Sequence, residues 1–189
     1  MWGLILSAAM ALAADIGAAA PDFSLTSLTG QTVKLSDYQG KTVVLEWFNP
    51  GCPFVKYAHG EGVMRQEASK WIGDDVVWLA INSGAPGKQG TDPEENREAV
   101  EKWQISYPIL MDPTGEVGKS YDAKTTPQMA IINPEGALVF NGALDNSPMG
   151  KKKGDPVSHV SNSLQALQAG QPVPDSRPKP YGCSVKYAK

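Results

Sequence analysis

Histidine, cysteine and arginine are scarce in this chain. It holds two histidines (His59, His159), two cysteines (Cys52, Cys183) and three arginines (Arg65, Arg97, Arg177). No Cys/His group has metal-ligand spacing, so no metal centre is expected, and two cysteines permit one disulfide at most. Strong charge of either sign is also missing. The net charge is −3, with acids and bases interleaved, and without a basic stripe nucleic acid is not an expected partner. The like-charge run Lys151-Lys152-Lys153, between two glycines, reads as a solvated loop. The apolar run at residues 2–13 is too short to span a bilayer. It ends in Ala11-Leu12-Ala13, a small-x-small pattern, and reads as the core and cleavage site of a signal peptide, although no Lys or Arg precedes it. The expectation is an exported protein, periplasmic or extracellular, beginning near Ala14 in an oxidising compartment, where disulfides persist.

The rest suits one domain with a real core: of 189 residues, 41% are hydrophobic. After a linker at 14–20, alternating residues either side of Thr29-Gly30 predict an N-terminal β-hairpin. Residues 42–48 form a β-branched and aromatic run, the pattern of a central buried strand. Helical spacing follows over 54–72, weakened by Gly60 and Gly62. A second buried strand is expected at 76–81, then a glycine-rich loop, and a helix capped by Asp92 with Pro93 at its first position. A short strand at 107–111, a short helix at 116–121, a hairpin across 129–140 and a helix capped at Asp155-Pro156 complete a domain at 21–170. The tail at 171–189 carries Cys183, shows no periodicity and is expected to drape, extended, over the domain. Two parallel strands joined by a helical crossover, then an antiparallel hairpin and a closing helix, describe an α/β fold with a central mixed sheet flanked by helices.

Cys52 stands where a buried strand stops and a helix starts. The unpaired N–H groups of a first helical turn, with the helix dipole, favour a negative charge there, and Pro53 fixes the helix start at the cysteine itself. A free thiol titrates near ~8.5 and helix-start cysteines commonly fall to ~7 or below. The bland alternative, half of an inert disulfide, explains neither the strand-end position nor Pro53. Thr126-Pro127 precedes a strand expected beside the Cys52 strand. A cis bond there would present a backbone edge along which a substrate chain adds.

Residues 20–170 resemble the redoxin group of the thioredoxin superfamily, which includes the alkyl hydroperoxide reductase/thiol-specific antioxidant proteins and the thiol-disulfide oxidoreductases. The residues that carry the resemblance are Pro21-Asp22-Phe23-Ser24-Leu25, Lys34-Leu35-Ser36-Asp37, Trp47-Phe48-Asn49-Pro50-Gly51-Cys52-Pro53-Phe54, Ile81-Asn82-Ser83, Thr126-Pro127 and Asn133-Pro134-Glu135-Gly136. Exported redoxin-domain proteins are similar also at residues 83–90 and at Tyr181-Gly182-Cys183-Ser184-Val185-Lys186. The resemblance implies a thioredoxin-like fold, Cys52 as nucleophile, and substrate contacts at Trp47, Phe48, Asn49, Pro50, Gly51, Pro53, Thr126 and Pro127. It needs no cofactor, and its partners are protein or small-molecule thiols and disulfides, or peroxides.

Two departures matter. Val55 stands where thioredoxin-like reductants carry a second cysteine, and Asn49 stands where peroxiredoxins have Thr or Ser. None of the arginines falls in a strand matching the one that polarises peroxide. Three readings stay open: thiol-disulfide exchange with Cys52 attacking and Cys183 resolving, a peroxiredoxin-like peroxidase using the same pair, and a non-catalytic binding module stapled by a Cys52–Cys183 disulfide. Among lesser candidates, His59 is too far along the helix for a direct base. Trp47 and Phe48 suit core or pocket wall better than a substrate platform. Tyr57 would shape an entrance, and residues 83–90 read as a mobile loop.

Overall fold

The computed structural model describes residues 14–61, 63–151 and 154–189. The expected signal segment at 2–13, Gly62, Lys152 and Lys153 therefore lie outside the described residues. Strands β1 (Ser24–Ser27) and β2 (Thr32–Lys34) form the expected hairpin, and a 3-10 turn at Leu35–Tyr38 leads into β3 (Thr42–Trp47). Strand β3 lies parallel to β4 (Val76–Asn82) and antiparallel to β7 (Met129–Ile132). With β5 (Ile109–Met111) and β8 (Leu138–Gly142) they make one seven-stranded mixed sheet, in the order β2-β1-β5-β4-β3-β7-β8. Near it, β6 (Thr125–Thr126) pairs antiparallel with β9 (Cys183–Ser184).

The period of two along β3 sorts its side chains between two apolar layers. Val43, Leu45 and Trp47 enter one, with Phe23, Leu79 and Tyr121. Val44 and Phe48 enter the other, against helices α1 (Pro53–Gly60), α2 (Val63–Trp71), α3 (Pro93–Trp103) and α5 (His159–Gln168). Both faces of the strand are buried throughout, as its apolar run requires. The short α4 (Glu116–Ser120) contributes Val117 to the first layer.

The expected helix at 54–72 is two helices. α1 stops at Gly60, its C-cap Glu61 returning an N–H to the Tyr57 carbonyl at 2.9 Å. The last helix starts later than expected. Asn146 Nδ2–H donates to the Asp155 carbonyl and Asn146 Oδ1 accepts the Val157 N–H, so 155–157 stay outside the helix and Ser158 caps α5 by accepting the Ser161 N–H. Residues 14–20, expected as a linker, dock on the outer edge of β8, where Gly17 N–H donates to the Leu138 carbonyl and Leu138 N–H to Ala18. The tail covers the other end of that edge, through Asn141 N–H to Ser176 and Ala143 N–H to Pro178. A β-edge left bare would invite pairing with another chain. Among the described residues, no helix is long and apolar enough to cross a membrane.

Candidate active site

Beyond β3 the chain turns through Asn49-Pro50-Gly51 to Cys52, the N-cap of α1, in extended conformation (φ −78°, ψ 125°) with Pro53 at the first helical position. Its N–H donates to the Asn49 carbonyl at 3.0 Å and its carbonyl accepts the Lys56 N–H at 2.9 Å. The sulfur stands at the open amides of the first turn, of which the Val55 N–H favours its anion. On its other side the thiol donates to the Thr126 carbonyl at 3.1 Å. The Thr126-Pro127 bond is cis.

The tail completes the site. β9 sets Cys183 opposite Thr126, close enough to Cys52 for each thiol to shift the other's titration, and neither is in a disulfide. The approach depends on Gly182, whose φ is +130° and where a Cβ would stand 2.1 Å from the Thr126 carbonyl oxygen. The strand is pinned on both sides. Tyr181 donates to Asp145 at 2.7 Å, and its ring lies 6.0 Å from that of Phe54. Farther on, Val185 N–H donates to the Lys124 carbonyl at 3.0 Å, Ala85 N–H to Lys186 at 2.8 Å and Tyr187 O–H to Ala123 at 2.8 Å. These bonds tie residues 181–187 of the tail to the domain. The segment covers Cys52, which is 1% exposed, and leaves Cys183 partly exposed.

The two thiols are driven in opposite directions. Burial pushes the Cys52 thiol up, but hydrogen bonds from the Cys183 and Thr126 side chains and from the Val55 and Cys183 amides outweigh it and bring Cys52 below its usual value. The Thr126 hydroxyl is buried and has no partner among the described residues while Cys52 is protonated. It is placed to donate once Cys52 is a thiolate. Cys183 is pushed up to about 11 by burial and by Cys52 itself, with Lys186 and the Phe54 amide opposing. Of the two, Cys52 therefore gives up its proton first as pH rises, and Cys183 keeps its own to about 11.

The remaining expected contact residues fall into two groups. Pro53 is exposed, whereas Pro50, Gly51, Thr126 and Pro127 are buried around the sulfur. Trp47 (0% exposed) and Phe48 (1%) point into opposite layers and have no surface to give a substrate. Asn49 is also enclosed: Nδ2–H donates to the Gln89 carbonyl at 2.9 Å and Oδ1 accepts the Gly51 N–H at 2.8 Å. Gln89 answers by donating to the Gly51 carbonyl at 3.0 Å. Residues 83–90, read as a mobile loop, are thereby laced to the cysteine turn. Gly90 (φ +74°) is wedged against Asn49, where a Cβ would lie 2.0 Å from Oδ1.

Sequence reasoning passed over Glu46. It is wholly buried under the site, sharing a 2.8 Å hydrogen bond with His59 Nε2 and accepting one of 2.8 Å from Tyr107. The His59 ring stacks on Trp103. Burial, and then the neighbouring carboxylate, hold the Tyr107 hydroxyl well above its usual range. One signal was available, a single acid inside an otherwise apolar strand. His59 is thus engaged with Glu46, and Tyr57 is a half-buried neighbour of the groove beside Phe54 and Tyr181. The arginines lie elsewhere: Arg65 bonds Gln104, Arg97 bonds Glu94, and Arg177 reaches Ala14 and Asp15.

Comparison with known proteins agrees with this geometry. A crystal structure of an uncharacterized conserved protein from Geobacillus kaustophilus is 33% identical and superposes with a TM-score of 0.81, over 92% of this chain and 93% of that one. The thiol-disulfide oxidoreductase ResA of the same species is 30% identical over 67% of this chain and 68% of its own length. The chloroplastic 2-cysteine peroxiredoxin of Chattonella marina is 27% identical over 85% of this chain and 84% of its own. The family model described as AhpC/TSA matches residues 16–141, from the strand-edge segment through Cys52 and Thr126 to the end of the sheet. By that match and by its thioredoxin-like fold, the chain belongs to the AhpC/TSA family.

Proposed function

We propose that the protein is a thiol-disulfide oxidoreductase whose working couple is Cys52 and Cys183. One observation carries the reading. The tail pairs Cys183 with Thr126, whose carbonyl accepts from the Cys52 thiol, and so sets the second thiol beside the first at a site where Val55 replaces the nearer cysteine of a conventional dithiol. Oxidation joins the two sulfurs and releases two electrons and two protons; reduction returns both and restores the two thiols. The ResA relative's name supports exchange chemistry, and the apolar N-terminal run supports export to a compartment where such couples operate. No arginine faces Cys52 among the described residues, so peroxide consumption with an added thiol is expected to be slow beside exchange.

Equilibration in glutathione buffers of stepped potential tests the proposal, with alkylation and peptide mapping as the readout. The expected result is a reversible Cys52–Cys183 disulfide that Cys52→Ser and Cys183→Ser each abolish. A protein that stays dithiol, or stays disulfide, across the whole range overturns it.

A further inference from the structure

In a sheet edge that receives an extended chain, the incoming strand supplies main-chain partners and its side chains fall to either side. Here the edge at β6 is already filled. Thr126 pairs with Cys183 and Thr125 with Ser184, both from the chain's own tail, and the bonds at Lys124 and Ala123 continue the zipper past the strand. A polypeptide arriving at Cys52 would have to strip this segment away, together with the anchors at Asp145 and Ala85. A small molecule needs only a sulfur within reach, and the sulfur within reach belongs to Cys183, because Cys52 is 1% exposed beneath the strand. A groove of about 260 Å³, which neither cysteine lines, is walled by Phe54, Tyr57, Met149, Val157 and Tyr181. Phe54 and Tyr181 in its wall each stand two positions from a cysteine.

We infer that the couple exchanges with small thiols and their disulfides, entering at Cys183, and is closed to extended polypeptides by its own C-terminal strand. This rests on the redox-couple reading above. In the oxidised protein an external thiolate attacks Cys183 Sγ. A new sulfur–sulfur bond forms there, the Cys52–Cys183 bond breaks, and its electron pair leaves on Cys52 Sγ. A second external thiolate attacks the bound small-molecule sulfur and frees the small disulfide. Cys183 takes a proton from solvent, so two small thiols have become one disulfide and the protein has gained two electrons. The same steps in reverse oxidise the dithiol. Cys52 suits the role of leaving group because the helix amides and Thr126 receive its charge.

The test reduces the oxidised protein with glutathione and, separately, with an extended peptide carrying one central cysteine of matched acidity. Glutathione is expected to react at least about tenfold faster, since access controls the rate. Mapping of the acid-quenched intermediate should find glutathione on Cys183. Gly182→Ala, which forces the strand off Thr126, should narrow the ratio by speeding the peptide. Equal wild-type rates, or glutathione mapped to Cys52, overturn the inference and leave the couple standing. Reaction with neither thiol overturns the couple itself. Should Gly182→Ala not fold, the wild-type ratio and the mapped site decide alone.

Discussion

Two neighbouring sulfurs, one pushed toward the anion and the other toward the thiol, make opposite demands on pH. Cys52 titrates below its ordinary 9.0 in the folded protein, so it adds stability above that value that is lost as pH falls through the folded value. Cys183 titrates at about 11 against an ordinary 9.0; its share is complete below 9.0 and is lost as pH rises through about 11. Cys183→Ala removes the leading hydrogen bond that lowers Cys52. Thiolate absorbance of the reduced variant should therefore rise at higher pH than the first step of the wild type, and the alkaline fall in urea stability should flatten. A first step that stays in place would show that Thr126 and the helix amides hold the anion unaided. At Glu46 the expectation concerns stability alone. Alanine there strands the Tyr107 hydroxyl and leaves His59 Nε2 without its partner, both in the interior. At roughly 1–3 kcal/mol for each unsatisfied buried group, plus a cavity, Glu46→Ala should cost about 3 kcal/mol or more, and Glu46→Gln less. A lowered urea midpoint at unchanged slope is the measurement.

At the scale of elements, the turn before α1 is held by its neighbours more than by its own residues. Asn49 bridges the loop at 83–90 to the Gly51 amide, and Gly90 makes room for it. Asn49→Ala should destabilise the fold by about 1–3 kcal/mol, the desolvation cost of the buried amides it leaves. It should also raise the Cys52 titration, because the turn that aims the sulfur at the helix amides loosens. Circular dichroism in urea and thiolate absorbance read the two effects separately, and a stability loss with an unmoved titration would reduce Asn49 to packing. This element also marks the limit of what the sequence discloses. β3, the cysteine at a helix start and the Thr126-Pro127 edge are legible because hydrophobic period, proline position and strand termination are local signals. The seat of Cys183 is not, since a two-residue strand has no period and its register is set by distant anchors such as Tyr181 and Tyr187. The loop at 83–90 misled for the same reason: glycine-rich composition says that a segment bends, and Asn49 and Gln89 decide that it stays put. The late start of α5 turns likewise on Asn146, a residue outside the helix.

For the whole molecule the question is how much the disulfide would stabilise the fold, because that gap measures how strongly the fold favours the oxidised couple. Cross-linking Cys52 to Cys183 closes a loop of well over a hundred residues, for which the chain-entropy model gives about 4–5 kcal/mol. A pair stabilised to that extent would behave as a staple, hard for small thiols to reduce. The reduced state recovers part of the difference here. Its thiolate collects hydrogen bonds from Cys183, Thr126 and the Val55 amide, all of which weaken once the sulfur is bonded and uncharged. The tail needs no disulfide to stay in place either, given its bonds to Lys124, Ala123, Ala85 and Asp145. Between pH 9.0 and about 11, where Cys52 is the anion and Cys183 keeps its proton, the oxidised protein is therefore expected to exceed the reduced one by clearly less than about 4 kcal/mol, the low end of the entropy estimate. Parallel urea titrations with and without a phosphine reductant measure the gap. The gap should widen as pH falls through the Cys52 value, because protonation removes what the reduced state gains from its anion. A gap at the full entropic value, indifferent to pH, would make Cys183 a structural clasp and leave Cys52 without a working partner.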